Sequence, residues 1–165
     1  AVWSFVEGPV REAAERLAES RIVEGSHLKQ DIMFKLDEIW NQVECLKKRE
    51  PEIVEAYRNK IYAKVSELLG DNTVSESVLA TEITIFADKI CVDEEMVRLQ
   101  SHIKTMKDTL EDGDNIGRKL DFIAQEMNRE ANTILSKAND LEISNIAIDI
   151  KTGIEKIREQ IQNIE

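Results

Sequence analysis

The chain has 165 residues, of which 42% are hydrophobic and 33% are charged, and its formal net charge at pH 7 is −11. That length is sufficient for one or two domains with a hydrophobic core. An acidic chain of this kind does not attract nucleic acid through its overall field, so phosphate binding would require local clusters of arginine and lysine or metal ions held by carboxylates.

Turn-forming residues are scarce, with 6 glycines and 2 prolines in the whole chain. That number is too small for an all-β chain with frequent turns, so the composition predicts an all-α fold. No apolar run approaches the roughly 18–20 residues of a membrane span, and we expect no secretory leader. Cys45 and Cys91 are too distant from each other to indicate a zinc knuckle or a disulfide framework.

The first half of the chain predicts a long helical hairpin. Gly8-Pro9 marks an irregular start over residues 1–10, and a helix follows to about residue 23, with Gly25 either inside it or breaking it. Apolar residues at helical spacing then cover residues 26–49 and 51–69. Pro51 would open the second helix, because its missing N–H costs nothing there. The short connection predicts an antiparallel pair, and residues 1–81 would form this hairpin arm.

Residues 82–165 predict a C-terminal helical bundle. Helices are expected at about 75–90, 93–111, 117–138 and 141–164, each with an apolar face repeating every three or four residues. The helix over 117–138 has the clearest stripe, which comprises Leu120, Ile123, Ala124, Met127, Ala131, Ile134 and Leu135.

Three of these helices also carry a mixed stripe of carboxylates, cations and amides. Glutamate and histidine at helical spacing are the ligands from which helical bundles build metal sites. Bound Mg²⁺ or Mn²⁺ with an open water position could attack or orient a phosphodiester, and guanidiniums would stabilise the growing charge. The same spacing is commonly that of ordinary surface ion pairs, and a lone histidine is more often hydrogen-bonded than a ligand. The stripes are Glu95/Arg98/His102, Glu126/Arg129/Glu130 and Glu155/Arg158/Glu159/Gln162.

Familiar catalytic motifs are missing from the sequence. It contains no Gly-rich phosphate loop, no His-Glu-x-x-His and no Gly-x-Ser-x-Gly. Aromatic residues make up only 5% of the chain, so the composition predicts no base-stacking platform of the kind found in single-strand-binding proteins.

Three blocks of the sequence are more specific than these patterns. They are Val92-Asp-Glu-Glu-Met-Val-Arg-Leu-Gln-Ser-His102, Gly117-Arg-Lys-Leu-Asp-Phe-Ile-Ala-Gln-Glu-Met-Asn-Arg-Glu-Ala-Asn-Thr-Ile-Leu-Ser-Lys137 and Ile154-Glu-Lys-Ile-Arg-Glu-Gln-Ile-Gln-Asn-Ile-Glu165. In this order they resemble the bacterial YicC family, and the resemblance covers about residues 82–165.

The resemblance implies a cytoplasmic bacterial protein of a family first described as stress-induced. Members are regarded as endoribonucleases that depend on Mn²⁺ or Mg²⁺, cleave single-stranded or structured RNA and assemble as homo-oligomers, with hexamers for the full-length chain. No membrane partner is implied. Expected members of the site are Glu126, Glu130, Arg129 and His102 for catalysis, Glu95, His102, Glu126 and Glu130 for the metal, and Arg98, Arg118, Lys137, Arg158 and Gln162 for RNA, with Asp121 and Glu159 alongside.

The chain departs from the family in one respect. The family's amino-terminal domain, with its Ser-Met-Thr-Gly-Phe-like opening, is not found here, and we expect the chain to correspond to the middle and C-terminal portion. Two alternatives to an endoribonuclease therefore stay open. One is a non-catalytic RNA-binding adaptor, and the other is a structural oligomerisation module in this truncated form.

Overall fold

The computed structural model describes residues 2–69, 74–113 and 116–163, and these residues are almost entirely helical, with no strand among them. The predicted all-α class is therefore confirmed. Within these ranges, no helix has a stretch that is both long and apolar enough to cross a lipid bilayer. The helices are α1 (Val2–Leu69), α2 (Glu76–Ile90), α3 (Asp93–Asp112), α4 (Gly117–Lys137) and α5 (Leu141–Ile161). The predicted end of the last helix at residue 164 lies outside the described residues.

Helix α1 is one continuous helix of 68 residues, so the predicted irregular start and the predicted turn at Pro51 are both wrong. A proline inside a helix removes one hydrogen bond and crowds the preceding turn, at a cost of about 3 kcal/mol. That cost is offset because the apolar face continues in phase across Pro51. Leu46 and Ile53, seven residues apart, are both buried against the same core. Gly25 also lies within the helix.

A long hairpin is nevertheless present, and α2 and α3 together form its returning arm. The rings of Tyr57 and Phe86 stack with centroids 3.6 Å apart. Closer to the N-terminus of α1, Lys47 Nζ donates to Gln100 Oε1 at 2.8 Å. An earlier residue of α1 thus contacts a later residue of the returning arm, so α2 and α3 both run antiparallel to α1. The chain reverses between Leu69 and Glu76, and the break at residues 91–92 separates two helices of the same direction.

The central part of α1 closes a four-helix bundle with α3, α4 and α5. Helix α4 lies opposite α1, between α3 and α5, and α5 returns beside α1, where Gly153 faces Ile39. The core takes residues from both predicted domains, and the predicted boundary at 81/82 falls inside α2, so that division stays a prediction. The largest fully buried side chains are Ile32, Leu36, Ile39, Leu46, Met96, Leu99, Ile103, Met106, Leu120, Met127, Ile134 and Ile150.

The first part of α1 lies outside this core. Every described side chain over residues 3–27 is exposed, whereas burial begins at residue 28. Several of these exposed side chains are large and apolar, and Trp3, Val10 and Leu17 recur at intervals of seven residues. Intervals of seven place side chains on one face of a helix. This segment therefore presents an apolar stripe that the rest of the described chain does not cover.

Candidate active site between α3 and α4

Two ion pairs join the polar stripes of α3 and α4. Arg98 Nε donates to Glu130 Oε2 at 3.0 Å, and Lys137 Nζ donates to Glu95 Oε1 at 3.0 Å. His102 lies one turn after Arg98 on α3, and Glu126 lies one turn before Glu130 on α4. Because the two helices are antiparallel, His102 and Glu126 lie at the same level of the bundle. These six residues, Glu95, Arg98, His102, Glu126, Glu130 and Lys137, are called the α3/α4 seam.

Arg98 is the centre of the seam. Its side chain reaches Glu130 through Nε, lies 3.6 Å from Glu95 through Nη2 and also pairs with the exposed Glu94. Hydrogen bonding to Glu130 and the neighbouring carboxylates raise the pKa of Arg98 above its ordinary value, against a smaller effect of burial. Glu95 and Glu130 are only 5% and 6% exposed, and buried carboxylates require such partners. The guanidinium is thus held in one orientation by charges on two helices.

Lys137 fixes the C-terminal end of α4 to the start of α3. Besides Glu95, its ammonium group donates to the backbone carbonyl of Cys91 at 3.0 Å. Burial raises the pKa of Glu95, but the hydrogen bond from Lys137 and the charges of Lys137 and Arg98 outweigh it, so the pKa lies below its usual range. The second oxygen of this carboxylate, Oε2, is buried and has no hydrogen-bond partner. Glu95 therefore remains charged but incompletely satisfied.

Glu50 of α1 belongs to the same region, although it is not among the site residues predicted from the sequence. Its Oε1 accepts the backbone N–H of Val92 at 3.2 Å. Burial raises the pKa of Glu50, and the charges of Asp93 and Glu95 act in the same direction, against the Val92 hydrogen bond and the charge of Lys137. A signal was available, since Glu50 interrupts the apolar face of α1.

The four predicted metal ligands are not arranged as a metal centre within this chain. Glu95 and Glu130 are turned towards Lys137 and Arg98, and Glu126 lies 3.9 Å from Arg129. Among the residues that the structure describes, no group of three or more His, Cys, Asp or Glu side chains could hold a metal ion. The donor set as arranged therefore does not fit Mn²⁺ or Mg²⁺, and dependence on such an ion stays a prediction.

The remaining predicted residues lie away from the seam. Arg158 Nε donates to Asp121 Oδ1 at 3.1 Å on the α4/α5 side of the bundle. Arg118 is exposed at the start of α4, and Gln162 is the exposed C-cap residue of α5. This end of α4 is about 28 Å from Lys137, at 1.5 Å per residue. The predicted RNA-binding residues therefore form two groups at opposite ends of α4. Arg129, with its side chain 75% exposed, faces solvent.

The seam has the chemical groups for acid–base catalysis beside an oriented cation. His102 and Glu126 are both partly exposed, so a substrate can reach them. Imidazole and carboxylate groups are the side chains most used to move protons in hydrolytic reactions. The Arg98 guanidinium, next to them and partly exposed, is suited to a phosphate oxyanion. The arrangement could therefore bind a phosphodiester and transfer protons to and from its oxygens.

The sequence is similar to one protein family and to proteins from two bacteria. The sequence profile described as "Endoribonuclease YicC-like, C-terminal" matches residues 46–165, which include all of α2–α5 and the C-terminal part of α1. The chain is 46% identical over 165 residues to the "Probable endoribonuclease YicC" of Clostridioides difficile (strain 630), a match over 99% of this chain and 56% of that protein. It is 34% identical over 142 residues to the protein of the same name from Haemophilus influenzae, over 86% and 49% of the two. The chain spans about half the length of these relatives.

Proposed function

Because the chain belongs to the YicC-like endoribonuclease family, we propose that it carries the active surface of an endoribonuclease and that this surface is the α3/α4 seam. Two relatives named as probable endoribonucleases support the activity. The observation that carries the location is Arg98, an arginine fixed by Glu130 and Glu95 beside two partly exposed proton-transfer groups.

In the proposed reaction the Arg98 guanidinium donates to a non-bridging oxygen of the scissile phosphate. Its Nε is engaged by Glu130 and its Nη1 by the exposed Glu94, whereas Nη2 lies 3.6 Å from Glu95, so an N–H of Nη2 is the group that meets the substrate. Negative charge increases on that oxygen as the bond to the attacking oxygen forms, and a preorganised cation stabilises it. One of His102 and Glu126 accepts the proton of the attacking hydroxyl or water, and the other donates a proton to the departing 5′-oxygen.

The substrate class is RNA, either single-stranded or structured, in a bacterial cytoplasm. The acidic chain as a whole repels phosphates, so binding depends on the local cations Arg98, Arg118, Lys137 and Arg158. Self-association as a homo-oligomer is part of the proposal, and the uncovered apolar stripe of Trp3, Val10 and Leu17 supports it. Dependence on Mn²⁺ or Mg²⁺ stays a prediction from the family resemblance.

A cleavage assay with a 5′-labelled single-stranded RNA tests the proposal. We expect Glu126→Gln to lower the cleavage rate about 100-fold or more, because a general acid or base contributes that much, without changing RNA affinity. Arg16→Gln is the matched control, since Arg16 forms an exposed ion pair with Glu12 far from the seam. Unchanged cleavage by Glu126→Gln would refute the assignment.

Two other outcomes distinguish the alternatives. RNA binding without cleavage, both with Mn²⁺ and with a chelator, would identify the chain as a non-catalytic adaptor. A chain that forms a defined oligomer by light scattering but does not bind RNA would be a structural module.

A further inference from the structure

The solvent-facing side of α4 forms a narrow polar ridge with one aromatic ring in its middle. Five residues at alternating steps of three and four define this α4 ridge: Arg118, Phe122, Gln125, Arg129 and Asn132. Phe122 is 62% exposed, although the opposite face of the same helix already supplies a complete apolar stripe to the core. The fold therefore does not need an aromatic side chain at this position.

An isolated exposed apolar residue is common on protein surfaces, so its neighbours decide what Phe122 can do. Arg118 lies one turn before it and Arg129 two turns after it. Arg118 has no ion pair with any residue that the structure describes, and Arg129 meets only Glu126, at 3.9 Å. Both guanidiniums are thus exposed and weakly paired. The ridge is locally cationic on a chain whose net charge is −11.

A second carboxylate beside the ridge, that of Asp121, does not neutralise it. Asp121 Oδ1 accepts from Arg158 Nε at 3.1 Å and its Oδ2 accepts from Gln125 Nε2 at 2.7 Å, so the charge of Asp121 is already paired with a cation of α5. Cations flanking an exposed ring match a chain with a regular negative charge and flat unpaired bases. A second copy of this chain would match the ridge less well, because it presents scattered rings such as Trp3 and Phe5 rather than the regular alternation of phosphates and bases in single-stranded RNA.

We propose that Phe122 stacks on an unpaired base of single-stranded RNA while Arg118 and Arg129 contact the phosphates on either side. This inference rests on the proposed function and adds a binding residue to it. One ring flanked by cations can hold a base, because every base has a π face and stacking does not depend on sequence. The low aromatic content excluded an extended stacking platform, but it does not exclude a single stacking residue.

Fluorescence anisotropy with a labelled single-stranded RNA, at one fixed low salt concentration, tests the inference. We expect Phe122→Ala to weaken binding about 5- to 150-fold, the range for loss of one stacked base. Phe122→Tyr should bind as the wild type does, and Phe122→Leu, which keeps apolar area but has no ring, should bind as weakly as Phe122→Ala. The matched control is Phe34→Ala on α1, because Phe34 is 61% exposed and lies off the ridge.

A set of RNA strands, each with an abasic residue at a different position, separates stacking from other effects. The wild type should lose affinity at one position, and Phe122→Ala should be insensitive to that change. If the wild type binds RNA and Phe122→Ala binds equally well, stacking is overturned and the proposed function stands. If the wild type does not bind RNA, both fall. A change of mass in light scattering with both Phe122→Ala and Phe122→Leu would overturn stacking in favour of docking by a second copy.

Discussion

Lys137 Nζ lies 3.0 Å from Oε1 of Glu95, while Oε2 of the same carboxylate is buried without a hydrogen-bond partner. The ammonium group also holds the carbonyl of Cys91, at the break between α2 and α3. One lysine in the last turn of α4 therefore joins three helices, and it supplies the charge that allows Glu95 to be buried as an anion. Removing that charge should affect stability as well as any binding of RNA.

The first prediction concerns Lys137→Met. We expect the free energy of unfolding at pH 7 to fall by about 1–3 kcal/mol, because a buried carboxylate loses its closest cation while Lys137 itself is partly exposed. Urea denaturation followed by circular dichroism measures the change. Lys64→Met is the control, since Lys64 pairs with Glu67 on the exposed side of α1 and its loss should be within about 0.5 kcal/mol.

The charge of Glu95 should stabilise the wild type but destabilise Lys137→Met, so the two proteins should respond differently to pH. In the wild type the pKa of Glu95 is lowered, so its stabilising contribution is present above the ordinary glutamate range and is lost as pH falls through the folded-state pKa. Without Lys137, burial dominates and the pKa lies above the unfolded value. The stability difference between the two proteins should therefore be smaller at pH 4.5 than at pH 7. An equal difference at both values would contradict the ion pair.

A second prediction concerns Glu50, whose pKa burial raises. A carboxyl group with a raised folded-state pKa destabilises the fold at pH values above its unfolded pKa, and this effect disappears on acidification. Glu50→Gln keeps an oxygen for the Val92 N–H and removes the charge. We expect it to stabilise the protein by about 0.2–1 kcal/mol at pH 7 and to have no effect near pH 3.5. Thermal unfolding at the two pH values measures this, and a loss of stability at pH 7 would contradict it.

The sequence predicted the apolar half of the bundle well, because one helix determines its own periodicity. Of the stripe predicted over residues 117–138, Leu135 is half-buried and the others are buried: Leu120, Ile123, Ala124, Met127, Ala131 and Ile134. Contacts between helices depend on register, which spacing within one helix does not contain. Nothing in the spacing of residues within α4 indicates that Glu130 pairs with Arg98 of α3 rather than with a metal ion. The partner of Glu50, the backbone N–H of Val92 42 residues away, was not predictable for the same reason, although the place of Glu50 on the apolar face of α1 marks the residue itself.

At Pro51 a local preference predicted the wrong structure, although the preference itself is real. Proline does favour the first position of a helix, and the prediction of a turn followed from that preference alone. The competing signal was the unbroken phase of Leu46, Ile53 and Tyr57 on either side of it. Burial of that continuous face contributes more than the single hydrogen bond that proline removes.

The third prediction follows from this continuity. Pro51→Ala should increase stability by about 3 kcal/mol, because it restores a backbone donor inside a helix and removes the crowding of the preceding turn. Pro9→Ala is the control, since Pro9 lies in the exposed part of α1 and should leave global stability unchanged. Urea denaturation measures both. Destabilisation by Pro51→Ala would indicate that the chain turns at Pro51 in solution.

The last prediction separates the two glutamates of α4. Glu130 is 6% exposed and pairs with Arg98, so Glu130→Gln should lower the free energy of unfolding by about 1–3 kcal/mol as well as slowing cleavage. Glu126 is partly exposed and its nearest cation is 3.9 Å away. Glu126→Gln should therefore slow cleavage about 100-fold or more and change stability by less than about 0.5 kcal/mol.

Measuring both quantities on both variants, with Mn²⁺, with Mg²⁺ and with a chelator, makes this comparison decisive. Glu67→Gln on the exposed side of α1 controls for loss of charge alone. Equal stability losses for the two variants would mean that Glu126 is also held in a buried ion pair. One outcome would contradict the proposed site: Glu126→Gln cleaves at the full rate, and Glu130→Gln is slowed only in proportion to its unfolded fraction. In that case the α3/α4 seam supports the fold and the reaction occurs elsewhere.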